Sequence, residues 1–86
     1  MILLYEIIFS LKAKKHFLKL EKIVQERIIS ALERIRIRPE AFITKLVGDP
    51  GYKLRVGDYR IIMDIDKNKL LILIVKVGHR KNIYNI

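Results

Sequence analysis

A two-residue turn constrains the fold of this chain most, because it fixes how two strands pair. Gly57-Asp58 separates two segments in which apolar and polar residues alternate, a pattern typical of a tight β-hairpin. The turn predicts that Val56 faces Tyr59 and that Arg55 faces Arg60 across the strands. Like charges directly opposite each other destabilise a sheet by roughly 0.2–1 kcal/mol. The hairpin therefore indicates a cationic surface that stability alone does not explain.

A third cation belongs to the same surface. Lys53 precedes Arg55 by one same-face step along the strand, and three converging cations suit a phosphate. Cations around an ammonium favour its neutral form, so we interpret Lys53 as a proton shuttle. Arginine keeps its charge, so Arg55 and Arg60 are predicted to hold phosphate. These roles suit metal-free attack on an RNA phosphodiester.

The charge balance indicates a polyanionic partner. Lysine and arginine number 18 against 9 aspartates and glutamates, a net charge of +9. Such a field attracts nucleic acid or an acidic protein. The alternative is a cationic surface that only keeps the protein in solution.

Several classes of site and location are disfavoured by the sequence. There is no cysteine, which excludes disulfides and thiolate metal ligands. The two histidines, His16 and His79, lie far apart and the carboxylates are scattered, so we expect no metal and no other cofactor. The longest apolar run, residues 70–75, is too short to span a membrane. With no signal peptide evident, we expect a cytoplasmic protein that does not bind membranes.

The remaining periodicity predicts one α+β domain over residues 1–86. An N-terminal strand precedes an antiparallel helix hairpin on a mostly antiparallel sheet, in the order β-α-α-β-β-β-β. Ser10 is expected to cap the first helix. The apolar stripe of the second helix is interpreted as core, with a partner-binding face as the alternative. The expected bounds are strand Leu3–Phe9, helices Ser10–Leu18 and Leu20–Arg36, a brief edge strand Leu46–Val47, the hairpin strands Tyr52–Val56 and Tyr59–Ile65, and a last strand Leu70–Val77.

Alternation predicts two unlike sheet faces. The face toward the helices is expected to hold Leu54, Val56, Tyr59, Ile61, Met63, Ile65, Leu70, Ile72 and Ile74. The opposite face is expected to hold Lys53, Arg55, Arg60, Ile62, Asp64, Leu71, Leu73 and Val75. Because it is half cationic and half apolar, we expect a partner to cover it.

The segment after the last strand offers more candidates. Strict alternation places His79, rather than Arg80, on the cationic face, although a bulge at Gly78 would shift the register. His79 is a candidate acid, base or phosphate ligand; the alternative is a structural hydrogen bond. Tyr84 is a further candidate or a hydrophobic plug at the end of the sheet.

The chain resembles the RelE branch of the RelE/ParE toxin superfamily over nearly its whole length. The resemblance rests on Tyr5 and Phe9-Ser10 before a lysine-rich helix, on the hairpin segment 54–60, and on Val77-Gly78-His79-Arg80 followed by Tyr84. It implies a fold akin to microbial ribonucleases. It also implies a toxin that inhibits translation by cutting mRNA in the ribosomal A site, without metal, by 2′-hydroxyl attack.

The resemblance also implies roles for residues. Lys53 would be an acid/base residue, and Arg60 and Arg80 would stabilise the phosphate or protonate the leaving group. Tyr84 would stack or assist, and Arg55 would bind RNA backbone. In one departure from the family pattern, Gly51 stands where some ribosome-dependent members carry a second lysine.

Two partners and two rival functions follow. The implied partners are the ribosome, with mRNA in its A site, and a cognate antitoxin whose acidic, partly helical segment masks the cationic face. The rivals are a ParE-type inhibitor that binds DNA gyrase without cutting RNA, and a non-enzymatic RNA-binding domain. The second rival is disfavoured because the cationic face has few aromatic residues for base stacking.

Overall fold

The computed structural model describes residues 4–83 of the 86-residue chain and has the predicted α+β architecture. In chain order the elements are strand β1 (Glu6–Phe9), helices α1 (Leu11–Leu18) and α2 (Lys22–Ile35), a 3-10 helix (Pro39–Ala41), and strands β2 (Ile43–Lys45), β3 (Tyr52–Val56), β4 (Tyr59–Asp66) and β5 (Leu71–His79). No helix within residues 4–83 is both long and apolar enough to cross a membrane.

The strands form one five-stranded sheet in the order β1-β5-β4-β3-β2. β1 lies parallel to β5, whereas the other neighbouring strands run antiparallel. The mostly antiparallel sheet predicted from the sequence is therefore confirmed.

Both helices cover the same side of the sheet. The Ser10 side chain accepts a hydrogen bond from the Ala13 N–H at 3.1 Å and starts α1 as predicted. Ala13 of α1 and Ile28, Ala31, Leu32 and Ile35 of α2 pack on Leu54, Ile61, Met63, Ile72, Ile74 and Val77 of the sheet. The stripe of α2 is thus core, and the other side of the sheet is left without a helical layer.

We call that other side the open face. From the strand pairing it carries Glu6, Ile8, Thr44, Lys53, Arg55, Arg60, Ile62, Asp64, Leu71, Leu73, Lys76 and Gly78.

The edge strand differs from the prediction. It consists of Ile43–Lys45, and the predicted strand Leu46–Val47 lies in the following loop. Ile43 packs against the core, whereas Val47 is fully exposed. The Leu46 N–H donates to the Gly51 carbonyl at 3.0 Å, which closes the loop instead of extending the strand.

A bulge in β5 also departs from the prediction. Ile62 pairs with Lys76, but Met63 pairs with Ile74, so Val75 has no partner on β4. The bulge lies at Val75, not at Gly78, and every residue after it changes face. The strict alternation that placed His79 on the cationic face is therefore wrong: His79 pairs with Tyr59 and shares its helix-facing side.

Candidate functional site

The hairpin turn that begins the site has a backbone that only its glycine adopts freely. Gly57 has a φ of +59°, and Asp58 is not among the residues with positive φ. A positive φ at the first central residue alone matches a type II′ turn. Val56 pairs with Tyr59 and Arg55 with Arg60, which confirms the register predicted from the turn.

The pairing arranges cations in two rows on the open face. Lys53, Ile62 and Lys76 lie side by side on β3, β4 and β5. Arg55, Arg60 and Gly78 form the next row toward the turn. Ile62 is only 6% exposed although no helix covers it, as expected where lysine stems flank an apolar side chain. Three predicted site residues, Lys53, Arg55 and Arg60, are therefore neighbours.

Arg60 is held in place by the turn. It is 7% exposed, and its Nη1 donates to the carbonyls of Gly57 at 2.8 Å and Tyr59 at 2.9 Å. Carbonyl oxygens fix the side chain but do not neutralise its charge. Within residues 4–83 no carboxylate pairs with Arg60, Arg55 or Lys53.

The same turn positions Arg80. The Arg80 N–H donates to the Asp58 carbonyl at 2.8 Å, and its Nε lies 3.8 Å from Asp58 Oδ1. The Arg80 side chain remains 56% exposed. Gly57-Asp58 therefore brings Arg60 and Arg80, which are distant in sequence, to one end of the sheet.

Of the two remaining predicted residues, the structure describes only His79, which is not part of this arrangement. The His79 ring packs edge-on against Tyr59 with centroids 5.4 Å apart, and its Nδ1 accepts the Lys81 N–H at 3.2 Å. These contacts match the structural alternative considered for His79. Tyr84 lies outside the described residues.

Lys76 is a cation of the open face that the sequence interpretation missed. The conflict was visible in the sequence, because strict alternation with Ile72 and Ile74 would have placed Lys76 in the core. Lysine is almost never fully buried without a partner. Its position therefore signalled a bulge before residue 76.

A cavity of about 430 Å³ adjoins Lys76. It opens between the 46–51 loop and strands β4 and β5, and its walls include Leu46, Asp49, Gly51, Ile62 and Asp64. Within residues 4–83, no group of three or more histidine, aspartate or glutamate side chains could hold a metal ion. The groups that this site offers include the ammonium of Lys76 and the carboxylates of Asp49 and Asp64.

Comparison with known proteins identifies a matching family model and solved structures of similar sequence and fold. A family model described as the ParE toxin of type II toxin–antitoxin systems matches residues 7–84. A chain of the Escherichia coli RelBE toxin–antitoxin complex is 31% identical, with a TM-score of 0.75, over 87% of this chain and 95% of that one.

Two more distant structures share the architecture. A chain of the RelE–RelB complex from Pyrococcus horikoshii is 25% identical with a TM-score of 0.72, over 88% of this chain and 94% of that one. A chain of the RelBE2 complex from Mycobacterium tuberculosis has a TM-score of 0.83 at 21% identity, over 90% of this chain and 99% of that one. The last likeness concerns the fold alone.

Proposed function

Because the chain belongs to the ParE toxin family of type II toxin–antitoxin systems, within the RelE/ParE superfamily, we propose that it is a metal-free endonuclease that cuts messenger RNA in the ribosomal A site. One observation carries the proposal: Lys53, Arg55 and Arg60 share the open face, with no carboxylate paired to them within residues 4–83. Cations that no carboxylate neutralises suit the binding of a phosphate and of the charge that develops on it during cleavage.

The proposed reaction uses the RNA's own 2′-hydroxyl. A base removes its proton, the 2′-oxygen attacks the adjacent phosphorus, and the bond from phosphorus to the 5′-oxygen breaks. An acid protonates that oxygen, which leaves a 2′,3′-cyclic phosphate and a 5′-hydroxyl. Lys53 takes part in the proton transfers, and Arg60 and Arg80 bind the phosphate as its charge develops.

Arg55 and Tyr84 complete the proposal. Arg55, exposed beside Arg60, binds the RNA backbone, and Tyr84 stacks on a base. His79 is left out of the RNA-binding set because it lies on the helix-facing side of the sheet.

A cognate antitoxin is the proposed inhibitor. The open face combines cations with exposed Ile8 and partly exposed Leu73, which pair across β1 and β5. An acidic segment with apolar anchors would cover both kinds of surface. The Escherichia coli RelBE structure is a toxin–antitoxin complex and the Pyrococcus horikoshii structure is a RelE–RelB complex, which supports an antitoxin partner.

The second candidate is a ParE-type inhibitor that binds DNA gyrase and leaves RNA intact. The name of the matching family model favours it. It predicts gyrase inhibition by the purified protein and no cut in mRNA.

A cleavage assay on ribosomes tests the proposal. The purified toxin is added to ribosomes that carry mRNA and an empty A site, and cuts are mapped by primer extension. We expect A-site cuts, reduced about 100-fold in a Lys53→Met variant, since a placed acid or base contributes roughly 10²–10⁴ in rate. The control is Lys45→Met, which removes an exposed lysine of β2 that pairs with Tyr52 on the helix-facing side.

Each other outcome has a defined meaning. Full activity of the Lys53→Met variant rejects the role of Lys53. Absence of cuts by the wild-type protein, together with inhibition of gyrase supercoiling, replaces the nuclease with the second candidate.

A further inference from the structure

The row that contains Lys53 ends in a second lysine, to which no role has been assigned. Lys53 and Lys76 flank Ile62 from the two neighbouring strands. Their backbones lie two strand spacings apart, about 9–10 Å. Because both side chains are long, the two ammonium groups can lie closer together than this or equally far apart. Both lysines are partly buried, so their stems lie along the sheet.

The bulge is what brings Lys76 to the open face. If Val75 were a regular strand residue and not a bulge, alternation from Ile72 and Ile74 would direct Lys76 to the core. The bulge is tied to the start of α1, because the Ser10 N–H donates to the Ile74 carbonyl at 2.8 Å. The Ser10 Oγ–H also donates to the Val75 carbonyl, with the two oxygens 3.5 Å apart. Bulges often redirect one side chain next to a functional site, and here the redirected side chain is a cation.

The surroundings of Lys76 leave its charge available. No carboxylate within residues 4–83 pairs with it. Asp64, on the same face, lines the same cavity and is exposed, but it is not within ion-pair distance. Lys76 therefore presents an ammonium group without an ion-pair partner in residues 4–83, beside a cavity of about 430 Å³. Lys76 and Lys53 lie on opposite sides of Ile62.

We propose that Lys76 binds the RNA phosphate next to the one that is cleaved, and that the nucleotide between the two phosphates lies over the cavity. This inference rests on the nuclease function proposed above. Lys53 and the arginines hold the scissile phosphate on one side of Ile62, while Lys76 holds its neighbour on the other side. Two fixed phosphates set the direction of the strand and align the 2′-oxygen for attack.

The test combines a protein change with a substrate change. Single-turnover cleavage is measured at saturating protein, on ribosomes carrying mRNA with either normal linkages or one neutral methylphosphonate next to the scissile linkage, on each side in turn. We expect Lys76→Met to slow cleavage of normal mRNA at least tenfold. One of the two methylphosphonates should slow the wild-type protein similarly and slow the variant no further.

Matched variants separate binding of phosphate from support of the fold. Lys76→Arg keeps the charge and should cleave within threefold of wild type, whereas Lys76→Gln should behave like Lys76→Met. Lys69→Met removes the same charge from the exposed β4–β5 turn and should leave the rate unchanged.

Two results would overturn the inference while the nuclease function stands. One is wild-type cleavage rates in both Lys76→Met and Lys76→Gln. The other is a methylphosphonate penalty that stays undiminished in these variants at both positions. Absence of any cleavage by the wild-type protein would instead reject the nuclease function and this inference together.

Discussion

Arg60 illustrates, at the scale of one residue, how a cation can be held in place without its charge being cancelled. Two backbone carbonyls hold its Nη1, and the side chain is almost completely buried. A carboxylate partner would fix the side chain equally well but would cancel the charge that a phosphate needs. The sequence predicted the position of Arg60 on the sheet but not this anchoring, because the rotamer depends on the shape of the turn.

Gly51 occupies a place in which a side chain would make tight contacts. An added Cβ would lie 3.2 Å from the Met63 carbonyl oxygen and 3.3 Å from Asp49 Oδ1. The Gly51 N–H also donates to Asp49 Oδ1 at 2.9 Å. A lysine at this position, which the family resemblance would have suggested, would therefore crowd this loop.

A Gly51→Lys variant is expected to lose stability without gaining activity. Crowding against the backbone of the central strand β4 should lower the free energy of unfolding by about 1–3 kcal/mol, measured by urea denaturation. The cleavage rate on ribosomes should not exceed that of the wild-type protein. A variant that is as stable as wild type and cuts faster would contradict this account.

The residues of the site differ in how far the sequence could predict them. Lys53, Arg55 and Arg60 were predicted correctly as neighbours because the two-residue turn fixes the register of β3 and β4. The sequence did not predict the sheet faces of Lys76 and His79 correctly, because one unpaired residue, Val75, reverses the alternation beyond it. The glycine at position 78 suggested a bulge at the wrong residue, whereas the cost of burying Lys76 indicated one before residue 76.

At the scale of elements, the β3–β4 turn organises the site by its main chain. The Gly57 carbonyl holds Arg60, and the Asp58 carbonyl holds the Arg80 N–H. The site therefore depends on the geometry of the turn, to which the Asp58 side chain adds an ion pair with Arg80 at 3.8 Å. A second glycine, Gly48 in the 46–51 loop, also has a positive φ, of +72°, but it anchors no arginine.

The two glycines allow a matched test of this conclusion. No atom lies within 4 Å of a Cβ built on either residue, so alanine at each should cost only the left-handed strain, about 1–2 kcal/mol, measured by urea denaturation. We expect Gly57→Ala to reduce cleavage at least tenfold, because relaxation of the turn displaces Arg60 and Arg80. Gly48→Ala should lose similar stability and keep its cleavage rate. Equal activity of the two variants would contradict the role of the turn.

The elements themselves were largely predictable, with one instructive exception. Helices α1 and α2 and the strands of the hairpin follow from periodicity, and Ser10 marked the start of α1 correctly. The position of the edge strand did not follow from periodicity. Leu46-Val47 resembles a strand locally, but Ile43 supplies the contact with the core. A strand of three residues is defined by its neighbour β3 more than by its own sequence.

At the scale of the whole molecule, the two sides of the sheet have opposite characters. One side is sealed by α1 and α2, and the other carries free cations beside apolar Ile8 and Leu73. With a net charge of +9, the molecule attracts any polyanion, so RNA and an acidic antitoxin would compete for one surface. Inhibition would then follow from occupation of the open face, without a change in the toxin's fold.

This competition predicts that apolar contacts on the open face select the antitoxin. A Leu73→Glu variant places a carboxylate beside Ile8 and should weaken binding of the antitoxin encoded next to the toxin gene at least tenfold, measured by calorimetry, because an acidic segment is then repelled. The control is Leu18→Glu, which changes a 60% exposed leucine of α1 away from the open face and should bind as wild type does. Leu73 pairs with Asp64, in the row next to that of Lys53, Ile62 and Lys76 and farther from the turn. Because this row carries none of the lysines and arginines assigned to the RNA, the variant should still cut mRNA within a few-fold of wild type, and that cleavage should resist added antitoxin. Unchanged antitoxin affinity in Leu73→Glu would show that the antitoxin binds elsewhere and inhibits by another route.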